Sequence, residues 1–324
     1  MSATGTGATG KLAVRLAIVV RQLPYSKSRN SELLQLFAQR LGVDGGGADK
    51  ALSGLVSELA GVSKRTKPIA DLEACLHKRN VRETRSVRGL SSDGYIEPLG
   101  SSYGEGFRIT LREEASPTRN RFTIAHELCH TFFYEIVPEL KFGSNNTDPQ
   151  EERLCNLGAG ELLIPGRHLK SRAKKEPLSI SSLEGLARTY LVSPEAMLLR
   201  LRSLRLWNCE LSYWRPGGGN FSLERIIGGR RANWKWADES PLWRVLKNNE
   251  TVSGSAYIEL REPGSGLQLR SVCFQVAKRR DLIIALWSPK PFDGASQSLP
   301  LFEGQQRGRA RGRPRPSRYV ERPL

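Results

Sequence analysis

The sequence predicts an α+β chain: helices at the N-terminus, a mixed core built around one long apolar helix, and a β-rich C-terminal region. Three observations carry this reading. Leu33, Leu34, Phe37 and Leu41, and then Leu52, Leu55, Val56 and Leu59, recur at helical spacing. Phe122, Ile124, Ala125, Leu128, Phe132 and Phe133 make the stretch 121–133 strongly apolar and helical. Past residue 206 the character changes: all six tryptophans lie there, and 256–260, 267–274 and 282–286 read as strands.

A chain of 324 residues is long enough for two or three domains with a real core. Hydrophobic content of 39% and charged content of 26% are those of an ordinary globular protein. The imbalance is in sign, 50 Lys+Arg against 33 Asp+Glu for a net +17, which favours acidic partners and nucleic acid above all. The five cysteines are scattered without a Cys-x-x-Cys pair, which argues against a disulfide framework and a structural zinc knuckle and for a reducing compartment. The apolar run 12–20 is broken by Arg15 and lacks a small-residue cleavage site. No stretch has the uninterrupted apolar length that crosses a bilayer. The expectation is a cytoplasmic protein with no membrane partner.

Residues 1–10 read as a disordered leader and 11–22 as a short helix or strand. Ser31 caps the first clear helix and Gly42 stops it. Further helices are expected over 49–60 and 69–77. Lys78, Arg79, Arg82, Arg85 and Arg88 form a basic stretch that reads as a solvated face. After the turn Ser91-Ser92-Asp93-Gly94 come strands at 95–97 and 107–111, the second alternating apolar and polar. Standing just before the apolar helix, the 107–111 strand is expected to be the sheet edge onto which an extended peptide is laid.

Within the apolar helix stands His126-Glu127-Leu128-Cys129-His130. Positions four apart rise about 6 Å and share a face. His126 and His130 can therefore both reach one ion about 2 Å from each, as zinc requires. Glu127, about 100° around from His126, is too poorly placed to be a ligand but well placed to act on a water at that ion. The chain has only four histidines, so two at this spacing with Glu between them favour a metal over chance. A third histidine of the longer metzincin motif would need Gly at 133 and His at 136; Phe133 and Ile136 exclude it.

The third ligand is expected on the next helix, which opens at Asp148-Pro149 and runs to Ile164-Pro165. Glu152 shares a face with Asn156 and Ala159, and Asn156 stands one turn on, where it can hydrogen-bond a ligand. Glu151 is the rival. Either acid is also explained by the helix dipole.

Arg119-Asn120-Arg121-Phe122-Thr123-Ile124-Ala125-His126-Glu127-Leu128-Cys129-His130 closely resembles the ImmA/IrrE family of metallo-endopeptidases. A second family pattern, Glu-x-x-Ala-Asn-x-Phe-Ala-x-x-Leu-Leu-x-Pro, stands here from Glu152 to Pro165 and registers the family's ligand on Glu152. The resemblance covers roughly residues 85–205. It departs at Cys129 for the usual Gly, Cys155 for the usual Ala and Gly158 for the usual Phe. Cys129 reads as a small buried packing residue, with a thiol open to oxidation or competition for metal as the alternative. The resemblance implies a zincin-like core, zinc held by His126, His130 and Glu152, and Glu127 as catalytic base. Manganese suits the same ligands. Tyr134, His168 (on a loop after Pro165) and Arg119 are candidates for stabilising an oxyanion, none preferred.

Arg167 to Lys175 reads as a basic linker. Ser181-Ser182-Leu183-Glu184 reads as a capping box opening one helix, and Ser193-Pro194 opens another, a pair shaped like helix-turn-helix. From Arg307 seven arginines stand against one acid in a Gly/Pro-broken tail, with Arg311-Gly312-Arg313-Pro314 resembling an AT-hook core. The expected organisation is a leader 1–10, a zincin-like metallopeptidase domain 11–170, a helical unit 171–205, a β-rich accessory or sensor domain 206–302 and a disordered tail 303–324. The function implied by resemblance is cleavage of a helix-turn-helix repressor that silences stress-response or mobile-element genes. The alternative is a DNA-associated regulator on the same scaffold with little or no proteolysis, binding nucleic acid weakly through its tail.

Overall fold

The computed structural model describes residues 29–43, 47–61, 70–137, 149–228, 233–236, 239–262 and 266–289. The leader, the 11–22 segment, Asp148 and the arginine-rich tail lie outside the described residues. The chain divides into two compact units, one ending at Cys209 and the other beginning at Glu210. No helix among the described residues is long and apolar enough to cross a membrane.

In the first unit, α1 (Arg29–Arg40), α2 (Ala48–Leu59) and α3 (Leu72–Lys78) precede a three-stranded sheet of β1 (Val81–Val87), β2 (Gly94–Pro98) and β3 (Phe107–Arg112). Then come α4 (Pro117–Ile136), α5 (Pro149–Leu163), α6 (Gly166–Ala173), α7 (Ile180–Tyr190) and α8 (Pro194–Ser203). Caps fix the helix starts. Asp71 accepts from the Ala74 N–H at 3.0 Å, and Ser116 from the Arg119 N–H at 3.3 Å with Pro117 in the first turn. The cap of α7 is Ser179, accepting from the Ser182 N–H at 3.0 Å, which displaces the start expected from the Ser181-x-x-Glu184 pattern. Residues read as a basic linker form α6, whose Leu169 and Ala173 are buried.

The sheet order is β1-β3-β2, with β1 parallel and β2 antiparallel to β3. β3 is therefore central, and the expectation that it forms a sheet edge is wrong. The missing neighbour is β1, whose polar sequence reads as a solvated surface because all but its first residue are exposed. Phe107, Ile109 and Leu111 are buried from β3. β2 comes very close to α4: a Cβ on Gly94 would stand 2.6 Å from Thr123 Cγ2 and 2.8 Å from the Thr110 carbonyl. Only glycine allows that approach, and it carries Ile96 against the middle of α4.

The helices of this unit bury Leu52, Val56, Leu128, Phe133, Leu154 and Leu162 together, with the Phe37 and Phe133 rings stacked at 4.3 Å. Two buried arginines lock the frame. Arg79 lies 3.9 Å over the Phe132 ring and donates to Thr131 Oγ1 at 2.8 Å and to Glu135 at 2.7 Å. Arg200 of α8 pairs with Glu161 and donates to the Ile164 carbonyl at 3.0 Å, tying α8 to the end of α5.

Among the described residues, the second unit is a six-stranded antiparallel sheet in the order β5-β4-β9-β8-β7-β6 with one helix. Its elements are β4 (Glu210–Gly217), β5 (Asn220–Ile227), β6 (Asn233–Trp236), α9 (Ser240–Asn248), β7 (Val252–Glu262), β8 (Gly266–Arg279) and β9 (Leu282–Ser288). Leu242 and Val245 of α9 pack with Trp214, Trp236, Trp287 and Phe274 in one apolar core. Two of those indoles share one acceptor: Ser212 Oγ takes the N–H of Trp214 at 2.8 Å and of Trp287 at 2.6 Å. Ser212→Ala would remove the acceptor that these two buried indoles share, at a cost of roughly 1–3 kcal/mol. Urea unfolding followed by tryptophan emission should show that loss; a midpoint equal to wild type would count against the shared-acceptor account.

Candidate metal centre

The site lies where the middle of α4 meets the first turn of α5. Helical pitch stacks His126 and His130, their ring centroids 5.0 Å apart and their Nε2 atoms 3.2 Å apart. Glu152 reaches between them, its carboxylate oxygens 3.1 Å from His126 Nε2 and 3.5 Å from His130 Nε2. The structure thus brings together His126, His130 and Glu152, whose donor atoms all lie within 4.8 Å of one another.

The other imidazole nitrogens are occupied. Asn156 Oδ1 lies 3.1 Å from His126 Nδ1, and Glu151 Oε1 lies 2.7 Å from His130 Nδ1. An amide oxygen and a carboxylate only accept hydrogen bonds, so each Nδ1 carries the proton and each neutral ring presents a lone pair at Nε2. Two lone pairs and a carboxylate then face one another at about hydrogen-bond distance with no hydrogen to share. Such an arrangement is stable only around positive charge, a metal ion or added protons. Burial opposes charge on His130, but the hydrogen bond and charge of Glu151, with Glu127 and Glu152 adding to them, hold its pKa above the usual value. On Glu152 the attraction of the His126 ring, with His130 adding to it, outweighs burial and keeps the carboxyl below its usual range. Two imidazoles and a carboxylate are donors that zinc accepts with a position left for water.

Glu127 points to the side, toward the sheet. It is 7% exposed, and the Ile96 backbone N–H of β2 donates to its carboxylate. Burial raises its pKa, the two histidines pull against that, and Glu152 adds to the rise. A second donor group, His130, Glu151 and Cys155, shares His130 with the first. Burial drives the Cys155 thiol well above its normal range, so it stays neutral and is the poorer ligand.

The remaining candidates fall out differently. Arg119 is committed to Asp93, with Nε at 2.6 Å, away from the electrophile role. His168 lies within α6 and not on a loop. Tyr134, one turn past His130, stacks on Phe107 at 5.2 Å; burial first, then the charges of Glu151 and Glu127, keep its phenol protonated. Glu135 is turned away to Arg79. Cys129 is wholly buried, its thiol pushed up by burial, and belongs to neither donor group. Two contacts escaped sequence reasoning, the Ile96 N–H on Glu127 and the Glu151 carboxylate on His130. Both depend on how β2 and α5 seat against α4.

Residues 93–202 match the family model described as the IrrE N-terminal-like domain of the peptidase M78 family. Over 234 residues the chain is 23% identical to the radiation response metalloprotease IrrE of Deinococcus deserti, across 64% of this chain and 82% of that protein. A solved structure described as a Mycobacterium tuberculosis transcriptional regulator aligns at a TM-score of 0.39, with 15% identity over 81% of each chain. The first two findings support a peptidase that uses a metal.

Proposed function

We propose that this chain, which residues 93–202 assign to the ImmA/IrrE family, is a zinc-dependent endopeptidase that cleaves a helix-turn-helix transcriptional repressor. One observation carries the reading: three lone-pair donors, His126 Nε2, His130 Nε2 and a Glu152 oxygen, converge beside the buried carboxylate of Glu127. His126, His130 and Glu152 would hold a divalent ion, which would supply Lewis acidity for a water and a carbonyl. Glu127 takes the proton of the attacking water and delivers it to the leaving amine. Manganese in place of zinc is compatible with the same donors.

The sheet supports a zincin-like reading of the core. β2 is an antiparallel edge beside α4, and the Ile96 N–H points away from β3 toward Glu127. A substrate strand laid along β2 would bring its scissile carbonyl to the donors. Pro98, without an N–H, limits that edge to a few residues. The domain scheme that goes with this reading is a metallopeptidase over 11–170, a helical unit over 171–205 and a β-rich accessory or sensor module over 206–302. None of the five cysteines is in a disulfide, in keeping with a reducing, cytoplasmic setting.

The rival DNA-binding reading gains little from the α7–α8 pair. Arg200 is buried in its ion pair and Arg202 donates to the Cys209 carbonyl, so α8 turns both guanidiniums inward. The test is direct. Purified protein is incubated with the repressor encoded beside its gene, with zinc or manganese and with chelator. Scission at one bond that chelator abolishes is the expected result; an intact repressor together with tight duplex binding would sink the proposal.

A further inference from the structure

The two histidines are not held alike, and the difference points to a function for Glu151. His126 Nδ1 faces the neutral amide oxygen of Asn156 at 3.1 Å, whereas His130 Nδ1 faces a carboxylate oxygen of Glu151 at 2.7 Å. The His130 contact is the shorter and the better shielded, with side-chain exposures of 7% and 13%. Glu151 and Glu152 stand side by side in the first turn of α5. Successive helical residues diverge by about 100°. One carboxylate therefore reaches the Nε2 atoms from the open side while the other reaches the back of His130.

We infer that Glu151 is a positioning residue for the metal centre: it holds the His130 ring through Nδ1, fixes the tautomer that leaves Nε2 as a donor, and increases the electron density on that nitrogen. This rests on the metal reading of His126, His130 and Glu152. The charge-assisted hydrogen bond polarises the imidazole toward imidazolate, so His130 becomes the stronger of the two nitrogen ligands. Asn156 fixes the orientation of His126 without adding charge. The two neighbouring acids then have separate tasks, Glu152 as ligand and Glu151 as support.

The test measures metal affinity and not turnover. Apoprotein competes with a chromophoric chelator for Zn2+, and Co2+ loading gives a visible spectrum that reports the strength of the nitrogen donors. Glu151→Ala should weaken Zn2+ binding about 10- to 100-fold. Glu151→Gln, which keeps the shape and an acceptor oxygen, should weaken it less and shift the Co2+ bands. Glu152→Ala should lose more affinity than either. Near-ultraviolet circular dichroism of the apoproteins establishes that each variant is folded. Glu151 variants that bind Zn2+ within about twofold of wild type would overturn the inference, as would a Glu151→Ala loss as deep as that of Glu152→Ala, the mark of a direct ligand. Wild-type protein with no Zn2+ affinity would instead remove the metal reading beneath it.

Discussion

Glu127→Gln is expected to abolish most turnover while leaving the metal bound and making the metal-free protein more stable. The loss follows from chemistry: an amide cannot take a proton from water, and positioned general-base catalysis contributes roughly 10²- to 10⁴-fold. Metal binding should persist because Glu127 reaches toward Ile96 of β2 and is outside the group formed by His126, His130 and Glu152. The gain in stability follows from burial, which raises the Glu127 pKa above the value it has in the unfolded chain. For an acid shifted upward, the folded state disfavours the charged form. The cost is therefore absent well below the ordinary carboxylate pKa, grows as pH rises through the ordinary and then the raised value, and is complete above it. Glutamine removes that cost. For a domain of this size each kcal/mol recovered raises Tm by about 2–4 °C. Melting curves of the two apoproteins should separate near neutrality and converge in acid. Equal melting at pH 7, or a glutamine variant that cuts at the wild-type rate, would contradict this account.

What could be read in the sequence was what local geometry dictates. The spacing of His126 and His130 fixes a shared helix face. Glu152 and Asn156 come from the pitch of the next helix in the same way. Pairing across the chain was hidden. β1 is exposed along nearly its whole length and shows no alternation, so only its partner β3 makes it a strand. β4 buries Leu211, Ser212, Tyr213 and Trp214 in succession, which erases the period-two signal. The separate tasks proposed for Glu151 and Glu152 were equally out of reach, since adjacent acids look the same until α5 is docked on α4. The Ser179 cap outcompeted Ser181 through a backbone geometry that the residue types do not reveal.

The departures from the family pattern at Cys129 and Gly158 are one feature, and this yields a prediction of large effect. A Cβ built on Gly158 would lie 2.7 Å from Cys129 Sγ, 3.5 Å from Cys129 Cβ and 3.5 Å from Leu52 Cδ2. The thiol on α4 therefore fills space that a side chain at 158 on α5 would need, with α2 closing the third side. Where the pattern that this chain resembles has Gly at the first position and Phe at the second, this chain has Cys on α4 and Gly on α5. Gly158→Ala alone should be destabilising by about 1–3 kcal/mol from overpacking, against a gain in helix propensity of about 0.5–1 kcal/mol. It should also weaken metal binding, because forcing α5 off α4 withdraws Glu152 from the two histidines. Cys129→Ala in the same chain removes Sγ and leaves a 3.5 Å Cβ contact, which is ordinary packing distance. The double variant should recover most of both losses, with a coupling energy within the roughly 0.5–3 kcal/mol seen for residues in contact. Chemical unfolding and Zn2+ competition on the four proteins of the cycle give the answer. Additive effects would mean that the two positions do not share a space. Recovery of stability without recovery of Zn2+ affinity would mean that the spacing of the helices does not set the ligand geometry.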